Sequence, residues 1–317
     1  MERVTFGRPA VADRVLAGRR RPRLGLHARR ATWGAVFVAP AMAFFALFSF
    51  YPTLNAIYLS LTRYDLAHPP QFVGLGNYVH LANSSYFGDS LRITAEYSLG
   101  TAVPIWIVSL SLALVFNRPM RSREILKTLY FSPVVMSGIV VAMIWIILYN
   151  PNGLVNALLE GALKPLLHKT NLFWLTDVDL AIPALVITSV WRSFGYYMVV
   201  FLAGLTAIPT EYYEAASIDG ANGLQRLRFI TLPLLKPTLL FVMVISLIGA
   251  FQSFGLQFVM TQGGPNNATM VIALQIYQYA FLFQKMGEAS AMSIVMFAII
   301  MSITLLQVRL LRGGSFT

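Results

Sequence analysis

The chain has 317 residues, of which 57% are hydrophobic and only 12% charged, and its mean hydropathy is +0.65. An ordinary soluble domain carries about 25% charged residues, so composition points to lipid as the main solvent. The net charge of +11 would suggest a nucleic-acid partner in a soluble protein, but here its distribution matters more than its sum. With no cysteine, disulfides and thiolate metal sites are excluded, and the four histidines (His27, His68, His80, His168) form no ligand-spaced pair, so no metal site is expected.

Residues 1–31 hold nine arginines and no long apolar run, and read as a basic cytoplasmic arm, disordered or lying on the surface, where it would bind anionic lipid headgroups. Apolar runs follow at residues 32–61, 91–116, 125–149, 180–208, 237–260 and 289–311. A membrane-spanning helix needs about 20 apolar residues, so the chain reads as six spans, a polytopic all-α membrane domain over 32–311 with a short tail at 312–317. The first run is too long for a signal-peptide core and is read as an uncleaved span. Pro40, Pro52, Pro104, Pro133 and Pro183 fall within spans and are read as kinks, because neighbouring helices can satisfy the carbonyl that a proline frees.

Orientation follows from the basic residues. With the N-terminus inside, segments 1–31, 117–127, 209–236 and 309–317 hold 18 of the 24 lysines and arginines. The external connections hold four, Arg63, Lys164, Lys169 and Lys285. Both termini are therefore expected in the cytoplasm. Residues 262–267 (QGGPNN) read as a turn, and 269–284 as a short external amphipathic helix leading into the last span.

The connection between spans four and five, residues 208–236, is long and patterned. Glu211 to Ile218 is helix-forming with acids at its start, where the helix dipole favours negative charge. Asp219-Gly220 is a turn signal. Leu224 to Leu232 reads as a second helix with Leu224, Leu227 and Ile230 on one face, Arg226 and Arg228 off it, and Pro233 and Pro237 ending it. Two short helices hinged at a glycine make a knob suited to a groove of another protein.

Glu214-Ala215-Ala216, Asp219-Gly220-Ala221, Ile230 and Leu232-Pro233, at this spacing, resemble the EAA loop of binding-protein-dependent ABC importer permeases. The resemblance covers most of the chain and is nearest the carbohydrate-uptake branch, of the maltose and glycerol-3-phosphate type. Residues 72–78 (FVGLGNY) and Thr261-Gln262-Gly263-Gly264-Pro265 support it, with Gln262 where that branch has a glycine; the C-terminus lacks the ending typical of the second permease. The resemblance implies the type I importer permease fold and the first permease of a heterodimer. It implies a second permease, two ATP-binding-cassette subunits that bind ATP and Mg, and an extracytoplasmic solute-binding protein delivering a sugar or related polyol or oligosaccharide. The chain itself would bind no cofactor, and nucleic acid has no part. The loop would be the coupling helix that carries ATPase closure to the membrane.

Within the spans, polar groups are costly unless they face a cavity or a partner. Ser189, Arg192, Ser193 and Tyr196 share a face of span four, and Ser246, Gly249, Ala250, Ser253 and Gln257 a face of span five. In the resembled family these two helices line the sugar site, and hydroxyls with an arginine suit such a ligand. The structural alternative is that the serines bond their own helix, the small residues serve packing, and Arg192 pairs with Glu96.

The sequence carries no G-x-x-x-x-G-K-[ST] phosphate loop, so ATP hydrolysis is assigned to a separate subunit and the chain is not read as an enzyme. The rival functions are an ion-gradient-driven secondary carrier, which would favour more intramembrane acids, and a membrane scaffold without a polar path.

Overall fold

A computed structural model describes residues 26–118, 120–163 and 172–312. Most of the arginine-rich arm, the tail beyond Arg312 and the lysines at 164 and 169, expected in an external connection, lie outside the described residues. The chain divides into two compact units, residues 1–55 and 56–317. In the first, α1 (Leu26–Phe45) passes through a π-helical turn (Ala46–Phe50) into α2 (Tyr51–Ser60), which runs on into the second unit.

The second unit begins with a hairpin of β1 (Thr62–Arg63) and β2 (Gln71–Phe72), antiparallel with Thr62 opposite Phe72. The short helix α3 (Gly76–Ala82) is pinned beneath it. Asn77 Nδ2 donates to the carbonyls of Ser60 (2.8 Å) and Thr62 (2.9 Å), and the Tyr78 hydroxyl donates to Ser60 Oγ (2.7 Å). Through Asn77, its one buried residue, and Tyr78, the FVGLGNY stretch clasps the first connection onto the end of the first span.

Five stretches among the described residues are long and apolar enough to cross a membrane: Arg30–Ser60, Ser85–Phe116, Val178–Thr206, Lys236–Met260 and Met286–Leu310. Four of them contain α4 (Ser85–Phe116), α8 (Val178–Thr206), the pair α12 (Lys236–Phe251) and α13 (Gly255–Met260), and α15 (Met286–Arg312). The remaining expected span is broken. It consists of α5 (Arg123–Val135) and α6 (Gly138–Leu148), bent by 99°. Pro133 does not make this bend. It sits inside α5, where the Ser132 hydroxyl donates to the Leu129 carbonyl at 2.9 Å, the carbonyl that a residue with an N–H at position 133 would have bonded. The chain turns at Met136 (ψ 141°) and Ser137 (ψ 136°), two successive extended residues that end one helix and re-aim the next.

The packing centres on α8, which lies mainly against α4 and α5, while α12 lies against α4. Gly195 on α8 allows the closest approach: a Cβ there would collide with the Tyr130 carbonyl of α5. One core cluster gathers Tyr97, Tyr149, Trp174, Leu185 and Leu274 at one end of α8. A second gathers Phe116, Met198, Phe201, Leu205 and Leu235 at the other.

After α6 comes α7 (Leu154–Leu163), held to the following strand of chain through Asn156, which accepts from Trp174 Nε1 (2.8 Å) and donates to the Leu172 carbonyl (2.9 Å). The expected QGGPNN turn is present, with positive φ at Gln262, Gly263, Asn266 and Asn267. The helix expected over 269–284 forms as α14 (Ile272–Tyr277) with a π-helical turn (Gln278–Leu282). Its first amide donates to Thr94 Oγ1 of α4 at 2.8 Å.

Candidate functional site: an interhelical knob and a polar cavity

The connection between α8 and α12 folds as the two-helix knob its sequence implies. The first helix is α9 (Thr210–Ile218), with Glu211 in its first turn. Gly220 follows in the left-handed region (φ 76°). There the Ala221 amide donates to the Ala216 carbonyl (2.8 Å) and the Gly220 amide to Ser217 (3.2 Å). This paired 6→1 and 5→2 arrangement is a Schellman cap, and it supplies a physical reason for Ala216, Gly220 and Ala221 at their spacing.

The next helix opens on a capping box. Asn222 Oδ1 accepts from the Gln225 amide (2.9 Å), and Gln225 Oε1 accepts from the Asn222 amide (2.7 Å). This second helix is α10 (Gly223–Arg226), a π-helical turn (Leu227–Thr231) and α11 (Leu232–Leu234). Pro233 does not end it. Thr231, Leu232 and Leu235 keep helical dihedrals around the proline, and Pro237 stands in the first turn of α12, where no intrahelical amide is needed. The helical path therefore runs almost unbroken from the knob into the next span.

Arg226 forms no free basic edge. Its Nε donates to the Ala221 carbonyl (3.0 Å) and one terminal nitrogen to Ser217 Oγ (3.1 Å), tying the two short helices together. Glu214, Ala215, Asp219 and Gly220 are exposed, while Ala216, Ala221, Ile230, Leu232 and Pro233 are half-buried. The outer surface carries apolar side chains that the described chain leaves uncovered, Ile218 at 87%, Leu224 at 74% and Phe229 at 69% exposure.

The second element is a cavity of about 390 Å³ between α4, the α5–α6 break, α8 and α12. It collects seven of the nine residues expected on the span faces: Ser189, Arg192 and Ser193 of α8, with Ser246, Gly249, Ala250 and Ser253 from the α12 side. Tyr196 is not among its lining residues. Tyr197 is, and the two rings meet edge-to-face at 5.1 Å. Gln257 is fully buried behind the wall, accepting from Ser253 Oγ at 3.0 Å. The Tyr97 hydroxyl lies 3.1 Å from the same serine. Trp106 Nε1 donates to Ser246 Oγ at 2.7 Å. Ser246 also donates to the Met243 carbonyl of its own helix (3.3 Å), as the structural alternative expected, whereas the contacts to Tyr97 and Trp106 tie both serines to α4; the hydroxyls of Ser189 and Ser193 have no hydrogen-bond partner among the described residues. Sequence periodicity missed Thr101 of α4 and Ser137 and Gly138 at the helix break, all of which line the cavity. The Ser-Gly pair soon after a proline was the available signal.

Arg192 is the midpoint of α8, with residues 178–191 before it and 193–206 after it. A guanidinium at the centre of a lipid-facing helix costs about 3 kcal/mol, and this one faces the cavity instead. It does not pair with Glu96. That carboxylate is 3.8 Å from Arg92 one turn earlier on α4, and both line a separate cavity of about 530 Å³ with Asp89, Asp179 and Asn266.

A bundle of long apolar helices around a polar cavity, with an exposed knob joining two of the helices that line it, is the architecture of a multi-pass membrane transport subunit. Residues 72–313 match the family model described as "Binding-protein-dependent transport system inner membrane component". The chain is 32% identical over 278 residues to the sn-glycerol-3-phosphate transport system permease protein UgpA of Agrobacterium fabrum, covering 86% of this chain and 92% of that protein. It is 33% identical over 284 residues to the trehalose/maltose transport system permease protein MalF of Thermococcus litoralis, covering 89% and 94%. The same fold is found in a bacterial ABC transporter involved in the import of the acidic polysaccharide alginate (TM-score 0.78, 23% identity, 92% of this chain and 98% of that chain). The chain belongs to the binding-protein-dependent transport system inner membrane component family, and it is a permease subunit of an ABC importer.

Proposed function

We propose that the chain forms half of the uptake pathway for a sugar, polyol or oligosaccharide, working with a second permease, two ATPase subunits and an extracytoplasmic solute-binding protein. It takes the part of the first permease of the pair, with both termini in the cytoplasm. ATP and its Mg ion belong to the ATPase subunits, which alone hydrolyse it. The knob at 208–236 is the coupling element, with Glu214, Ala215, Ala216, Asp219, Gly220 and Ala221 toward the ATPase and Ile230, Leu232 and Pro233 toward the membrane. The cavity residues Ser189, Arg192, Ser193, Ser246 and Ser253 form the solute path, with Tyr197 taking the place first assigned to Tyr196 and Gln257 acting behind the wall.

One observation carries this reading: the knob is continuous with both helices that line the cavity. It leaves α8 at Ala207 and re-enters the membrane domain at α12 through Leu235, which is 1% exposed and packed with the α8 residues Phe201 and Leu205. A force on the exposed face of the knob therefore displaces two walls of the cavity together. Closure of the ATPase pair opens the cavity to one side of the membrane, and its release returns it to the other.

The discriminating experiment is uptake by vesicles holding the purified assembly. Import that needs internal ATP, the binding protein and the separate ATPase subunit supports the importer. Uptake driven by an ion gradient without that subunit would overturn it.

A further inference from the structure

We propose that the solute carries an anionic group, a carboxylate or a phosphate, and that this group is held at the helix break by Arg192 together with the N-terminus of α6. The inference rests on the importer reading and narrows its substrate class.

Two electropositive features meet at one wall of the 390 Å³ cavity. The first is Arg192, whose Nε is buried without a hydrogen-bond partner among the described residues. Among the described residues it is also the only charged one lining the cavity, with no carboxylate beside it. The second is the start of α6, an 11-residue helix whose N-cap, Ser137, makes no side-chain capping bond. The Val141 amide bonds the Ser137 carbonyl (3.0 Å), so the amides before it lie at the open end of the helix. That end carries the positive pole of the helix dipole.

The two features are in contact. A Cβ built on Gly138 would lie 3.4 Å from Arg192 Cζ and 3.5 Å from each terminal nitrogen. The guanidinium thus lies against the first residue of α6. A cation beside a positive helix pole is unfavourable by itself. The pairing becomes favourable when an anion on the cavity side bridges them, accepting from the guanidinium and from the amides at once. Broken membrane helices that point an N-terminus at an anionic substrate are a general device of transporters. The hydroxyls of Ser137, Ser189 and Ser193 and the ring of Tyr197 line the remaining cavity and suit the hydroxylated body of the same solute.

The test uses the assembled permease pair with its ATPase subunits in nanodiscs, without the binding protein, so that the cavity alone selects. Saturation-transfer NMR compares matched probes: glucuronate with glucose, galacturonate with galactose, and glycerol 3-phosphate with glycerol. The expected result is at least about tenfold tighter binding of one anionic probe than of its neutral partner, and the probe that binds tells carboxylate from phosphate. That preference should be lost in Arg192→Gln and partly kept in Arg192→Lys. Equal binding of neutral and anionic probes by the native assembly would overturn the inference, whatever the variants do. So would an anion preference unchanged in a well-assembled Arg192→Gln complex. ATP hydrolysis by the same native preparation reports on the importer reading separately. Hydrolysis with no anion preference sinks only this inference, whereas a chain that captures no ATPase subunit sinks the reading beneath it.

Discussion

The hydroxyl of Tyr213 on α9 lies 3.1 Å from Thr231 Oγ1 at the far end of the second knob helix. Thr231 in turn donates to the Arg226 carbonyl at 3.3 Å and is only 5% exposed, so the tyrosine is the donor of the pair. The bond joins the half of the knob that follows α8 to the half that leads into α12. It makes a rigid body of what would otherwise be two helices on a glycine hinge.

Tyr213→Phe should therefore loosen the knob without changing its surface. Loss of one such bond costs about 1 kcal/mol. The expected outcome is near-normal assembly with weaker solute stimulation of ATP hydrolysis. Tyr213→Phe combined with Thr231→Val should cost less than the two single changes added together, because both remove the same bond. A double-mutant cycle on thermal stability and stimulated hydrolysis measures this.

Gly220 offers a second test of rigidity. At φ 76° a side chain is strained, by about 1–2 kcal/mol for an L-residue, although open space surrounds the position. Gly220→Ala should weaken retention of the ATPase subunit on purification and lower its melting temperature. Gly220→Asn, which tolerates this region better, should be milder. Equal behaviour of the two variants would remove the cap from the explanation.

Gly195 tests the packing that holds the cavity wall. Because a Cβ there would strike the Tyr130 carbonyl, Gly195→Ala must push α5 from α8. Overpacking of this kind costs about 1–3 kcal/mol. Reduced yield of folded protein and a lower melting temperature are expected, whereas Gly249→Ala, with nothing within 4 Å of its added carbon, should be tolerated for folding.

Much of this was legible in the residues. Hydropathy alone placed five of the expected spans, because each is an apolar run too long for an ordinary soluble element, and it marked the sixth, which the structure forms as two short apolar helices bent by 99°. The knob was legible because its cap needs a glycine four residues after Ala216, a requirement of backbone geometry that appears directly as spacing. The break at Met136–Ser137 was not, since both sides of it are apolar and the average over a window hides a change of direction. Tyr197 was missed for Tyr196 because a helical wheel gives an angle about α8 but not which neighbours flank it. Gln257 was assigned to the cavity by extending the phase of α12 through residues 252–254, where the helix is interrupted and the phase is lost. The loss of Glu96 as a partner for Arg192 has a similar origin. Both residues lie in spans, yet Glu96 sits beside Arg92 in the other cavity, and composition carries no depth.

The central claim is that the exposed face of the knob passes ATPase motion to the walls of the cavity. Its most direct test is ATP hydrolysis by the assembled complex in lipid, with and without Glu214→Arg, at saturating binding protein and solute. Glu214 is exposed and its replacement leaves the core untouched. The account predicts that the native complex is stimulated by solute-loaded binding protein and that the variant loses either the ATPase subunit or the stimulation. Full assembly with unchanged stimulation and unchanged uptake in Glu214→Arg would contradict it.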